Sequence, residues 1–136
     1  MVKDDILNFF KNNPRFNIAI LKGDLPDPEE LSKTIGFTLL DIKEEMLTDK
    51  IKLYDAIGYT DMVEIIKKIA GNHYPGIVIK DLDILLCALD RDKRESFFEK
   101  LLSTRFKSNI VLCISIFKAD IPYYEDYNHG LVLSGV

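Results

Sequence analysis

Four apolar runs of strand length, separated by segments of helical period, constrain this chain more than any other feature. They are Asn17-Ile18-Ala19-Ile20-Leu21-Lys22-Gly23, Phe37 to Ile42, Gly76-Ile77-Val78-Ile79-Lys80-Asp81, and Asn109 to Phe117. Successive side chains of a strand point to opposite faces, so a run that is apolar throughout must be covered on both sides. Helical segments are available to cover them. Ile6, Phe9 and Phe10 share a stripe over residues 3–12, and Asn12-Asn13-Pro14 stops it. Asp27 is a cap for a helix with Pro28 at its first position and Glu29 and Glu30 in its first turn, ending near Gly36. Thr60 is expected to cap a helix whose buried face is Met62, Val63, Ile66, Ile69 and Ala70, closed by Gly71-Asn72. Another helix is expected over 93–106, marked by Phe97, Phe98, Leu101, Leu102 and Phe106. Residues 43–58 read as a short helix and an irregular link, and the turn-rich tail ends in a candidate strand, Leu131-Val132-Leu133. Strands alternating with helices imply an α/β fold, a three-layer sandwich around a mainly parallel sheet. With no repeat or linker visible, residues 1–136 are expected to form a single domain.

Composition narrows the class. An apolar share of 47% without low-complexity tracts excludes a disordered chain. The longest apolar stretch, Ile110 to Phe117, is too short to span a bilayer and contains Ser115. No signal-peptide pattern follows the first methionine, so a cytoplasmic location is expected, with Cys87 and Cys113 as buried, reduced thiols. A net charge of −4 gives no general attraction to nucleic acid or anionic membrane. That total conceals a dipolar arrangement. Residues 24–49 carry eight acids (Asp24, Asp27, Glu29, Glu30, Asp41, Glu44, Glu45, Asp49) against Lys33 and Lys43. Residues 91–107 carry six bases (Arg91, Lys93, Arg94, Lys100, Arg105, Lys107) against Asp92, Glu95 and Glu99.

In open α/β sheets ligands bind beyond the carboxyl ends of the strands, which directs attention to Gly23–Glu30, Asp81–Asp83 and Ser115–Lys118. Ile77-Val78-Ile79-Lys80-Asp81-Leu82-Asp83 has the form of a loose Walker B strand, and Arg105 to Ser115 that of the approach to a sensor strand. Over Asn17 to Phe117 the layout resembles the core of P-loop NTPases of the AAA+ kind, and most closely the small P-loop-containing proteins of BREX phage-defence systems. Where Walker A would read G-x-x-x-x-G-K-[ST], this chain reads Gly23-Asp24-Leu25-Pro26-Asp27-Pro28-Glu29-Glu30. Pro28 replaces the second glycine and removes an N–H donor; Glu29 and Glu30 replace the lysine and the hydroxyl residue. Two like charges about 4 Å apart repel by roughly 1 kcal/mol even in water, so this segment repels a triphosphate. Ser32-Lys33-Thr34 falls inside the helix, too far along to substitute. The resemblance therefore implies a degenerate Walker A, no cofactor, and a non-catalytic accessory or assembly subunit of a prokaryotic phage-defence or DNA-processing complex.

The same acids allow an enzymatic alternative. Asp24, Asp81 and Asp83 could converge on Mg²⁺ in a Toprim- or PIN-like nuclease or phosphotransfer domain. Strand-end acids also cap the segments that follow, the plainer role. Other chemistry finds little support. His73 and His129 lie at turns without metal-ligand spacing; Ser96 and Ser103 lie in a helix with no base nearby; Ser115 reads as a buried strand serine; Cys113 sits between Leu112 and Ile114 as an inert thiol. For partners, the basic segment is the candidate surface, through Arg91, Arg94, Lys100, Arg105 and Lys107, against the commoner role of a solvated helix face. Protein partners or a head-to-tail homo-oligomer, acidic loop against basic helix, are expected. DNA is expected only indirectly or through a local basic patch. Tyr123, Tyr124 and Tyr127 add an aromatic cluster suited to core packing or an interface.

Overall fold

The computed structural model describes residues 2–12, 16–22, 27–41, 58–87, 89–122 and 130–134. Among them, five strands form one sheet: β1 (Ile18–Lys22), β2 (Thr38–Asp41), β3 (Gly76–Lys80), β4 (Asn109–Ile114) and β5 (Leu131–Ser134). Their order across the sheet is β2-β3-β4-β1-β5, and each neighbouring pair is parallel. The helices are α1 (Val2–Asn12), α2 (Pro28–Ile35), α3 (Tyr59–Ala70), the four-residue α4 (Asp83–Leu86) and α5 (Arg91–Leu102).

The apolar runs are buried on both faces, as their composition requires. Ala19, Leu21, Val78, Val111 and Cys113 meet Ile6 of α1 and Leu31 and Ile35 of α2. Ile18, Ile20, Ile77, Ile79, Ile110, Leu112 and Ile114 meet Met62, Val63 and Ile66 of α3 and Phe97, Phe98, Leu101 and Leu102 of α5. Each such side chain contributes about 1.5–3 kcal/mol relative to exposure, and this places the fold among three-layer α/β sandwiches. No helix among the described residues is long and apolar enough to cross a membrane.

Local chemistry sets the element ends. Asp27 caps α2 by accepting from the Glu29 amide at 3.3 Å, and Gly36 closes it in the left-handed region at φ 78°. Other boundaries differ from those expected. Helix α3 starts from Gly58 without a side-chain cap, and Thr60 lies in its first turn. Helix α5 starts at Arg91, where Asp90 accepts from the Lys93 amide at 3.0 Å, and stops at Leu102 instead of Phe106. At that end the Ser103 and Thr104 hydroxyls donate back to the carbonyls of Glu99 (2.9 Å) and Lys100 (2.5 Å). Beyond it, Asn17 Nδ2 donates to the carbonyls of Phe106 (2.9 Å) and Ser108 (3.0 Å), while its Oδ1 accepts from the Phe106 amide at 3.0 Å. That buried side chain fastens the segment leading into β4.

Strand β4 ends at Ile114 and not at Phe117, so Ser115 is an exposed residue beyond the strand, not a buried one within it. Cys87 is likewise exposed, because it follows the last turn of short helix α4; only Cys113 has the expected burial. The helix expected within 43–58, apart from Gly58 itself, and the tail cluster Tyr123, Tyr124 and Tyr127 with His129 lie outside the described residues.

Candidate functional site

The strand order sets the carboxyl ends of β1, β4 and β3 side by side, with β4 in the middle. Helix α2, which follows β1, covers one face, and α5, which precedes β4, covers the other. The chain therefore switches faces between β1 and β4, where open α/β sheets form a ligand crevice. The residues around that crevice are occupied with one another.

The first wall is the start of α2. A helix N-terminus is a ready anion site, since its first amides lack intrahelical partners. Here Asp27 takes the Glu29 amide, Pro28 has no amide to offer, and Glu29 and Glu30 stand in the first turn. Ser32 and Thr34 spend their hydroxyls on the helix, donating to the carbonyls of Glu29 (2.7 Å) and Glu30 (2.8 Å). Lys33 faces solvent and pairs with Glu29 at 3.8 Å. Gly23 and Asp24 lie outside the described residues.

The second wall is the Walker-B-like segment, whose two aspartates separate. Asp81 is exposed and left-handed at φ 61°, a conformation aspartate tolerates better than most residues. Asp83, at the start of α4, is buried, and it bridges to the end of β4. Its Oδ2 accepts from the Ser115 amide at 3.2 Å and from the Ser115 hydroxyl at 3.5 Å, and its Oδ1 accepts from the Phe117 amide at 3.3 Å. Those bonds turn the chain away from the sheet, which is why β4 stops short. They also commit both carboxylate oxygens to the protein. Among the described residues no group of three or more His, Cys, Asp or Glu side chains is placed to hold a metal ion.

Between the walls, Lys80 pairs with Asp41 at 3.5 Å across the ends of β3 and β2. The Asp41 charge raises the lysine above its ordinary value; burial opposes this, and the Asp41 hydrogen bond, Asp81 and Glu29 add to it. Cys113, near the end of β4, is pushed up to about 12, first by burial and then by the negative charge of Asp27. It is an unreactive thiol at neutral pH, as its apolar neighbours imply.

The basic segment does not form the continuous surface its sequence suggests. Arg94 turns inward: its Nε donates to Asp120 at 2.7 Å, its Nη1 to the Leu89 carbonyl, and its guanidinium lies 4.3 Å from the centre of the Phe117 ring. As a partner contact Arg94 is therefore corrected to an internal anchor. The sequence concealed this because Asp120, its buried counter-charge, lies 26 residues away. Arg91 is largely exposed and shared between Glu95 (3.2 Å) and Asp120 (3.6 Å). Lys100, Arg105 and Lys107 remain exposed, the last two at the amino end of β4, away from the crevice. Asn17 and Asp120 also escaped the sequence reading. The one visible signal was a lone amide opening an apolar run.

Compared with family models, with curated proteins and with solved structures, the chain matches none.

Proposed function

We propose that this chain is a non-catalytic accessory or assembly subunit built on a P-loop NTPase-like, AAA+-like core without the usual ATP site. A phosphate loop, a Walker B pair and a sensor must face one nucleotide, so their strands must be neighbours. Here the sensor-like strand β4 lies between β1 and the Walker-B-like β3, which supports the core assignment. The observation that carries the loss of ATP binding is the start of α2. Asp27 fills the anion position from within, and Pro28, Glu29 and Glu30 stand where a glycine, a lysine and a hydroxyl would serve a triphosphate. Asp83 supports the same conclusion, because a carboxylate held by two backbone amides is poorly placed to organise Mg²⁺ or activate water. This weighs against the Mg²⁺-dependent alternative.

What remains is a scaffold of opposed charge, with Asp27, Glu29 and Glu30 at one place and Lys100 and Arg105 at another, all exposed. Contact between copies, or with subunits of a phage-defence or DNA-processing complex, is the role this arrangement fits. The test is calorimetric titration with ATP and Mg²⁺, alongside thermal melting. No heat of binding and no shift in melting temperature at millimolar ATP is the expected result. A ligand at 100 times its Kd would stabilise the fold by about 2.7 kcal/mol, a shift of several degrees, and that outcome would overturn the proposal. Salt-sensitive self-association in sedimentation is the companion expectation; a monomer at high concentration and low salt would remove the homo-oligomer.

A further inference from the structure

The end of the sheet opposite the crevice carries a separate basic groove. The last turns of α3 and the segment leading into β4 enclose about 390 Å³, lined by Glu64, Lys67, Lys68, Gly71, Asn72 and Lys107. Gly71 and Asn72 precede β3 and Lys107 precedes β4, so in a parallel sheet all three stand at the amino ends of the strands. A six-residue strand puts this roughly 17 Å from the carboxyl-end crevice.

Three lysines face one acid here. Lys67 and Lys68 complement the negative end of the α3 dipole, which gives them an ordinary structural reason to be present. Lys107 has no such reason. It arrives from another element and lies across Gly71, where a Cβ would come 3.7 Å from its Cδ. Among the described residues none of the three forms an ion pair, and with Glu64 as the one lining acid the groove keeps a net positive charge.

Just past the groove in the chain comes a solvent-exposed aromatic ring. Tyr74 is 90% exposed, the most exposed large hydrophobic side chain described. It follows groove-lining Asn72 by two residues, a reach of at most about 7 Å. The Pro75 carbonyl accepts from the Asn109 amide at 3.3 Å, which fastens this turn to the strand that Lys107 enters.

We infer that this groove binds single-stranded nucleic acid, with Lys67, Lys68 and Lys107 on the phosphates and the Tyr74 ring stacked on a base. Protein–protein interfaces are depleted in lysine, whereas nucleic-acid interfaces are strongly positive, so the lysines favour the polyanion. A basic groove beside an exposed aromatic is the pairing by which single strands are held without sequence preference. The chain's net charge of −4 does not oppose this, because screening by salt makes the attraction local. The inference is independent of the P-loop-like assignment and of the crevice.

Fluorescence anisotropy of a labelled oligothymidylate of about 20 nucleotides, titrated with the full chain, tests it. Three phosphate contacts give a slope of log affinity against log salt near −2, or roughly 20-fold weaker binding at 200 mM than at 50 mM salt. The K67Q/K68Q/K107Q variant is expected to flatten that slope. Tyr74→Ala, at a position with no packing to lose, should weaken binding about fivefold or more and leave the slope unchanged. The inference fails if no saturable binding appears at 50 mM salt, or if the triple variant or Tyr74→Ala binds like the parent. Equal binding of polyglutamate, insensitive to Tyr74, would assign the groove to an acidic protein surface and overturn it as well.

Discussion

Replacing Asp83 by alanine is the sharpest test of whether the Walker-B-like carboxylate is structural. In the fold it receives the amides of Ser115 and Phe117 at 3.2 and 3.3 Å, and it is 7% exposed. A hydrogen bond to a charged group contributes about 1.5–3 kcal/mol. Both distances exceed the roughly 2.7–2.9 Å of strong charge-assisted bonds, so the lower figure applies to each, about 3 kcal/mol together. Ser115 is exposed and its amide can return to water, which brings the expected loss to about 2 kcal/mol. In urea unfolding this moves the midpoint down by about 1 M without changing the slope. Hydrogen exchange supplies a local readout, with the Ser115 and Phe117 amides losing protection before those of Val111 and Leu112 in the strand core. If Asp83→Ala unfolds at the parent urea concentration and both amides keep their protection, the carboxylate is not the clamp. Its availability to a metal or nucleotide would then be restored.

Four further outcomes follow from the packing. Cys113 is held near 12 in the fold and ionises near 9 when released, so the unfolded chain binds fewer protons between those values. Stability should therefore fall by about 1.4 kcal/mol per pH unit from this group as pH rises above about 9, and Cys113→Val should remove that component in urea titrations at several pH values. At neutral pH a thiol reagent should modify Cys87 rapidly and Cys113 only after unfolding. Arg94→Ala leaves buried Asp120 with only Arg91 at 3.6 Å and should cost about 2–4 kcal/mol by denaturant midpoint, well beyond a surface substitution. Gly76→Ala places a Cβ 2.6 Å from the Phe37 ring and 2.8 Å from the Asn109 carbonyl oxygen; the backbone cannot yield cheaply, and a loss of about 2–3 kcal/mol in thermal or urea unfolding is expected.

The fold was legible because its signals are local. Apolar runs such as Ile18–Leu21 and Ile77–Ile79 can only be two-sided strands, and Asp27, Pro28 and Gly36 mark a helix by caps that act within one turn. Even the α2 boundaries agree with expectation to a residue. Errors arose where the deciding partner is distant in sequence. Asn17 holds Phe106 outside the helix from 89 residues away, Asp83 bonds the residue after β4 from 32, and Asp120 withdraws Arg94 from the surface across 26. The same blindness applies to the site. Counting charge along residues 91–107 gave a basic face, but Arg94 leaves it, and Lys107 joins Lys67 and Lys68 in a groove that no linear window contains.

Charge at the two ends of the sheet is treated in opposite ways, and this separates the two proposals physically. At the carboxyl end Lys80 meets Asp41 and Asp83 meets two amides, while exposed Asp27, Glu29 and Glu30 leave a negative field that disfavours an anionic ligand. At the amino end Lys67, Lys68 and Lys107 are exposed together with one carboxylate, that of Glu64, among the groove's lining residues. Exposed charges attract within about one Debye length, roughly 8–10 Å in ordinary salt, so the proposed attraction of the amino end for a polyanion is insensitive to Asp27 and Asp83 some 17 Å away. The proposed lack of ATP binding at one end therefore predicts nothing about the other. A chain that ignores ATP yet binds oligothymidylate with a salt slope near −2 is the combination the two proposals together predict.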